Sequence, residues 1–305
     1  MEFAVQTRGS YDTILSAAQW AERRKLSAIA LPDHYLPVLG DASGDTAFDH
    51  FIHFAALARD TETLDLVCLV APVTFRHPAV LYKIGVTLDE LSNGRFTMGV
   101  GTGWYEEEFE LFGIDYPSER ERLERREEAM GYLAAAIAPE ARGFAGEYYT
   151  LSEFDPQPHP ENLRLAIGGG GMVKTPRVAG MYADEFNIYA CPPEDFLVKV
   201  ERTREAAEKA GRDPDDILIT SAGPAIAGPT EADYLRLRDD MAELTGVDPG
   251  RIDSGYAKRK YPHGYGEKPA EMIAALEEVG CQRYYLQMFA GGPDDYDMIL
   301  DSYEG

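Results

Sequence analysis

Short β-branched runs alternate with longer amphipathic stretches along almost the whole chain, and this restricts the fold more than any other sequence feature. Strand-like runs fall at Phe3–Gln6, Ala28–Leu31, Leu66–Val70, Phe96–Val100, Leu165–Ile167, Glu185–Ile188, Ile217–Ala222 and Arg283–Gln287. Between them lie helical stretches at Tyr11–Lys25, Phe48–Asp60, Ala79–Leu91, Arg120–Ile137, Thr175–Met181, Glu194–Ala210, Glu231–Leu244 and Pro269–Val279, with a last helix expected after Pro293. Repeated strand–helix units imply parallel strands joined by crossover helices. Eight such units in 305 residues fit an α/β fold, a closed (β/α)8 TIM barrel with insertions, better than an open doubly wound sheet. The run Ala28-Ile29-Ala30-Leu31 is continuously apolar, as expected of a strand covered on both faces. One domain over residues 1–305 is expected, with excursions around 139–164, rich in Pro, Gly and aromatics, and around 245–268. The second excursion reads as a long loop carrying Lys258, Arg259, Lys260 and Tyr261, and long loops in compact barrels are often functional.

The net charge of −24 repels a phosphate backbone, which argues against nucleic acid as a partner and against anionic membranes. Apolar stretches are interrupted before the roughly 20 residues a membrane span needs. The opening MEFAVQTRGS runs straight into a strand pattern, so no signal peptide is expected. Cys68, Cys191 and Cys281 form no CxxC pair. Buried thiols at Cys68 and Cys281 and a cytoplasmic location are expected.

In a barrel, chemistry gathers where strands end and βα loops begin. Two of those loops are glycine-rich: Gly101-Thr102-Gly103-Trp104, and Gly168, Gly169, Gly170 and Gly171. Glycine lets backbone N–H groups approach a phosphate, and the following helix adds its positive end. Turns that simply need positive φ are the other reading. If the first loop cradles a ligand, Gly101 and Gly103 leave it room and Trp104 walls the pocket. Asp33-His34 is the acid–histidine pair at a strand end, suited to donating a hydrogen bond or moving a proton; a capping Asp beside a loop His is its plainer reading. Asn187, Tyr189 and Gln287 sit at other strand ends. His50 and His53, at i, i+3, have metal-like spacing, but no carboxylate or cysteine cluster completes a site, so no metal is expected. His77 precedes Pro78 at a helix start and reads as structural. Glu106-Glu107-Glu108 reads as a solvated first helical turn complementing the dipole. GVGTGW is not the dinucleotide fingerprint, because its third glycine falls too early, and neither a G-x-S-x-G elbow nor a P-loop lysine is present.

The run FRHPAVLYKIGVTLDELSNGRFTMGVGTGW at 75–104 resembles the bacterial luciferase-like monooxygenase superfamily, with LPDHYLP at 31–37, IGGGGMVKTPRVAGMYADEFNI at 167–188 and EKPAEMIAALEEVGCQRYYLQ at 267–287 as further matches. Within it, Asp33-His34 and the G-x-G-W arrangement are most similar to the branch using the deazaflavin coenzyme F-420. The resemblance implies a barrel with a cofactor ring over the strand ends, hydride exchange with C5 of that ring and a small-molecule substrate. His34 and Asp33 would lie near the ring. Gly101 to Gly103 and Gly168 to Gly171 would hold the phosphate side chain. Lys174 and Arg177, or Lys258 to Lys260, would meet the coenzyme's acidic tail. Asn187 would also contact the cofactor. Members of this branch often carry a non-proline cis peptide behind the ring, and the matching bond is Leu69–Val70, followed by Ala71. A homodimer is expected from the same resemblance. Val38 and Trp104 replace a tryptophan and a glutamate of the branch's sugar-phosphate dehydrogenases, which counts against that substrate. FMN on the same barrel, as a monooxygenase or as a non-catalytic flavin-binding protein, is the alternative.

Overall fold

Eight parallel strands close on themselves: β1 Glu2–Gln6, β2 Ala28–Leu31, β3 Asp65–Cys68, β4 Phe96–Gly101, β5 Arg164–Gly169, β6 Glu185–Tyr189, β7 Leu218–Pro224 and β8 Arg283–Gln287. The closure is made by Glu2 pairing with Arg283 and by Leu66 pairing with Phe96. The computed structural model describes residues 1–38, 46–140, 142–289 and 293–304. The helices on the outside are α1 Tyr11–Arg23, α2 His50–Asp60, α3 Pro78–Ser92, α4 Glu106–Phe112, α5 Glu119–Ile137, α6 Lys174–Tyr182, α7 Pro193–Lys209, α8 Glu231–Thr245, α9 Pro249–Arg259, α10 Lys268–Glu277 and α11 Pro293–Glu304. Their starts are written locally. Ser10 and Ser118 accept from N–H groups three residues on, and Thr230 with Asp233 forms a reciprocal capping box. His77 caps α3, as a structural histidine would.

Side chains alternate across each strand. Outward residues such as Val5, Ile29, Leu66, Phe96, Met98, Phe186 and Leu286 join the core under the helices. Inward residues differ between the two ends of the barrel. At the N-terminal end Arg283 donates to Glu2 (2.8 Å) and Asp65 (3.2 Å), and Arg164 donates to Asp65 (2.8 Å). Glu185 accepts from Thr220 (2.8 Å) and from Tyr285 (2.9 Å). Burial pushes the Glu185 carboxyl up, with Arg283 and both hydroxyls opposing the shift. Above this charged plug the inner wall is small: Ala4, Ala28, Ala30, Val67 and Ala222 around the Tyr285 ring. Small side chains there leave the C-terminal mouth open.

Both excursions contain regular structure. In 139–164 a hairpin pairs Arg142–Ala145 with Thr150–Phe154. Glu128 of α5 anchors it by accepting from the backbone N–H groups of Glu147 (2.7 Å), Tyr148 (2.8 Å) and Tyr149 (3.1 Å). The stretch 245–268 is not a long loop. It holds α9, started by an Asp248 cap with Pro249 in the first turn, and a short strand His263–Tyr265 paired with Ile226–Gly228. The third strand is also shorter than its apolar run, ending at Cys68 instead of Val70. Among the described residues no helix is long and apolar enough to cross a membrane, and no cluster of metal-ligating residues forms.

His50 is 3% exposed on α2. Burial, reinforced by the neighbouring His53 and His34 and opposed by Asp49, lowers its pKa to about 4. The unfolded chain takes up this proton near pH 6.5 and the folded chain only near pH 4, so acidification through that window favours unfolding. The linkage amounts to about 3 kcal/mol. Replacing His50 by Asn should flatten the loss of stability between pH 6.5 and pH 4, read from urea midpoints of both proteins across the range; parallel curves would show that His50 does not titrate this way.

Candidate functional site

A cavity of about 780 Å³ opens at the C-terminal ends of the strands. Of the residues singled out in the sequence, His34, Leu69, Val70, Gly101, Thr102 and Gly103 line it, as do Trp104, Gly168, Gly169, Gly170 and Asn187. Asp33, Ala71, Gly171 and Lys174 are not among its lining residues. Lys174 is exposed at the start of α6, and Arg177 is spent on Glu127.

Asp33 and His34 are neighbours in sequence with separate partners. Asp33 is 1% exposed and faces Arg76, which donates to it and, at 2.9 Å, to Asp49, the cap of α2. The Arg76 guanidinium also lies 4.7 Å from the Phe51 ring centroid. Burial pushes the Asp33 carboxyl up, and Arg76 pulls it back. The pair ties the β2 loop to the loop ahead of α3 and does not reach the mouth.

The partner of His34 is Glu108. Its Oε1 lies 2.7 Å from His34 Nδ1, while Oε2 accepts from the backbone N–H groups of Tyr35 and Leu36. A carboxylate only accepts, so His34 donates from Nδ1 and turns Nε2 away from Glu108. The expectation of a solvated Glu106–Glu108 turn is therefore corrected for one residue. Glu106 and Glu107 are exposed, but Glu108 is 1% exposed, because the same turn buries Phe109 beside it. The Trp104 ring meets the imidazole edge-on at 5.8 Å and stacks on Tyr105 at 5.4 Å.

The glycines of GVGTGW are required by the protein itself. The Leu69–Val70 peptide is cis, as the resemblance implies. A Cβ on Gly101 would lie 2.5 Å from Val70 Cγ2, and one on Gly99 would lie 2.9 Å from Val70 Cγ1 and 2.0 Å from the Cys68 carbonyl oxygen. Gly168, on the next strand, would bring a Cβ to 3.0 Å from Val70 Cγ1. Gly103 has φ +72°, and a Cβ there would meet the Phe109 ring at 2.8 Å. The room beside Gly101 and Gly103 is thus taken by Val70 and Phe109. Gly170 differs, with only Tyr189 Cβ near, at 3.8 Å.

Behind this second loop stands Arg126 of α5, 2% exposed, donating to Thr175 Oγ1 (3.0 Å) and to the Gly168 carbonyl (3.4 Å), with its Nε unpartnered. Burial lowers its pKa to about 10. The next helix, α6, starts without a side-chain cap. A buried guanidinium and an uncapped helix start give the 168–175 turn a positive potential suited to a phosphate.

Two glutamine links brace the opposite wall. Gln6 donates to the Leu69 carbonyl at 2.8 Å, and Gln287 donates to Gln6 at 2.5 Å. Asn187 donates to Thr220 at 3.0 Å, joining the mouth to the Glu185 network. Sequence reasoning missed Arg251, Ile252 and Tyr256 on the α9 wall and the pairing of the Tyr189 and Tyr261 hydroxyls, although it singled out Arg259, Tyr189 and Tyr261 themselves. Of the Lys258–Lys260 run, only Arg259 lines the cavity.

The family model described as luciferase-like monooxygenase matches residues 3–296. The chain belongs to the luciferase-like monooxygenase family. Among curated members, it is 31% identical over 201 residues to an F-420-dependent glucose-6-phosphate dehydrogenase of Microbacterium testaceum, covering 65% of this chain and 59% of that protein. It is 27% identical over 177 residues to the pyrimidine monooxygenase RutA of Caulobacter segnis, covering 56% and 49%. The chain thus spans about half to three-fifths of the length of these luciferase-like relatives. An F-420-dependent secondary alcohol dehydrogenase, solved with an F-420–acetone adduct, superposes with a TM-score of 0.79 at 19% identity, covering 99% of this chain and 98% of that one. The long-chain alkane monooxygenase LadA superposes at 0.77 with 17% identity, covering 98% and 89%. At such identities the structural likeness establishes the luciferase-like barrel.

The Val70 contacts are testable without any ligand. Gly101→Ala should destabilise the protein by about 1–3 kcal/mol through overpacking. The same substitution in a Val70→Ala background should cost less than half as much. Equal costs in both backgrounds, measured by denaturant unfolding, would dissociate Gly101 from Val70.

Proposed function

We infer that this protein is an oxidoreductase exchanging a hydride between coenzyme F-420 and a small organic substrate. The observation that carries the reading is the His34–Glu108 pair at the edge of the cavity, because hydride exchange with an alcohol or carbonyl also moves a proton. The residues fit such a coenzyme. Gly168 to Gly170, with Arg126 beneath and the start of α6 beside them, suit a phosphate. Leu69 and Val70, with Gly101 to Gly103 and Trp104, would flank a flat ring. When bound, the deazaflavin would accept or donate the hydride at C5. His34 would take the substrate's hydroxyl proton at Nε2, and Glu108 would stabilise the imidazolium that results. Gln6 and Gln287 hold the Leu69 carbonyl, fixing the wall against which a ring would be positioned.

Trp104 is 65% exposed at the cavity, whereas Trp20, the other tryptophan, is 3% exposed and bonded to Asp297. Quenching of tryptophan fluorescence should therefore report on the cavity and vanish in Trp104→Phe. Titration should give F-420 a Kd at least about ten times below that of FMN, a difference of about 1.4 kcal/mol. Equal or tighter FMN binding would transfer the reading to an FMN-dependent monooxygenase, and failure of both to bind would leave neither enzyme reading standing.

With a substrate in hand, His34→Ala should lower kcat by roughly 10²–10⁴. Glu108→Gln should lower it by at least about tenfold and alter the pH profile, since the amide would no longer stabilise an imidazolium. Wild-type turnover in His34→Ala would remove His34 from the chemistry and redirect the search to Asn187 and Gln287.

A further inference from the structure

The chain carries −24, yet among the described residues that line the cavity two arginines, Arg251 and Arg259, stand on one helix, and the one carboxylate is Glu108. Glu108 is committed to His34 and two backbone N–H groups. Arg8 lies 4.5 Å from the Phe289 ring centroid. Arg251 and Arg259 come from α9 with Gly255 between them, and all three line the cavity. Steps of four residues place them along one helix face.

Both arginines are exposed. Among the described residues no carboxylate lies within ion-pair distance of Arg251 or Arg259. On the adjoining α8, Arg236 binds Asp240 and Asp295, and Arg238 binds Asp239 and Asp253. Asp253 lies on α9 itself yet faces α8. Two guanidinium groups on the wall of a cavity, with no carboxylate partner among the described residues of so acidic a protein, raise the local concentration of anions, and each offers a bidentate fork to a planar oxyanion.

We propose that Arg251 and Arg259 form an anion subsite for the substrate, so that the enzyme acts on a small molecule carrying a carboxylate or phosphate. The proposal rests on the reading of this cavity as the active site. The subsite belongs to the seventh strand–helix unit. The glycine turn that would hold the cofactor phosphate follows β5, so the two anionic groups have separate places. The acidic tail of F-420 is the other source of the same chemistry, and the experiment separates the two.

Matched aryl and alkyl carboxylates and their primary amides are titrated by calorimetry into the protein alone and into protein saturated with F-420. At least one carboxylate should bind roughly tenfold or more tightly than its amide in both states, the scale of a charge-assisted hydrogen-bonded pair. In Arg251→Met/Arg259→Met the ratio should fall within twofold, while Arg251→Lys/Arg259→Lys retains part of it and shows that the loss follows charge. Three results would overturn the proposal: no carboxylate preference in the unaltered protein, a preference unchanged in the double Met variant, or a preference abolished by F-420, which would assign the arginines to the coenzyme's tail. Failure of the cofactor reading appears separately, as absence of F-420 binding, and the ratio in the cofactor-free protein still reports on the arginines.

Discussion

The Val70 side chain presses against three glycines on two strands, Gly99 and Gly101 of β4 and Gly168 of β5. Each position would place a Cβ 3.0 Å or less from a Val70 methyl. Glycine weakens a strand by roughly 0.5–1 kcal/mol relative to alanine, so three of them on adjacent strands need a compensating role. Here they receive a valine that stands beyond the end of its own strand. With no side chains of their own, β4 and β5 let Val70 lie against their backbones, and the cavity floor stays low at that point. Gln6, two strands away at the end of β1, fixes the preceding Leu69 carbonyl. The shape of the mouth is therefore set by contacts within the chain and is ready before any ligand arrives.

The two ends of the barrel treat charge differently. At the N-terminal end every inward charge has a partner: Arg283 with Glu2 and Asp65, Arg164 with Asp65, and Glu185 with Thr220 and Tyr285. Such a network closes the barrel and performs no chemistry. At the C-terminal end Arg126 is 2% exposed and, among the described residues, has a hydroxyl and a carbonyl on it and no carboxylate. Burying a charge without a counterion costs several kcal/mol. An anion seated on the 168–175 turn would offset part of that cost. The imbalance itself marks the end of the barrel where ligands belong.

Much of this architecture was legible in the sequence, because strand–helix alternation and continuous apolar strands are local signals. Ala28–Leu31 and Arg283–Gln287 have the bounds the sequence implies. The errors have physical causes. The apolar run through Val70 conceals where β3 ends, since hydropathy does not register a change of backbone direction. Pro249-Gly250 and the Lys258–Lys260 run read as loop, although Pro behind an Asp cap is a helix start and cations suit a helix end. The site was legible in its glycines and in His34, but not in its electrostatics. Three consecutive glutamates look alike, and the Leu111 and Phe112 that follow mislead further, being 66% and 57% exposed while Glu108 is buried. Only the tertiary fold brings the β2 loop onto α4.

That juxtaposition bears on how one barrel serves different reactions. A family that includes both an F-420-dependent dehydrogenase and a pyrimidine monooxygenase keeps the fold and varies the loops. The His34–Glu108 pair joins the loop after β2 to the helix after β4, and the backbone N–H groups of Tyr35 and Leu36 hold the carboxylate in place. Its tautomer is thus fixed by the protein, independently of what occupies the cavity. Positioning of that kind serves a proton transfer, because the proton's place is decided before the substrate binds. Trp104 packs against the imidazole at 5.8 Å between ring centroids. The proton's place at the mouth therefore follows from a buried carboxylate and not from the glycine loops, where Gly99, Gly101 and Gly168 make room for Val70 and Gly103 makes room for Phe109.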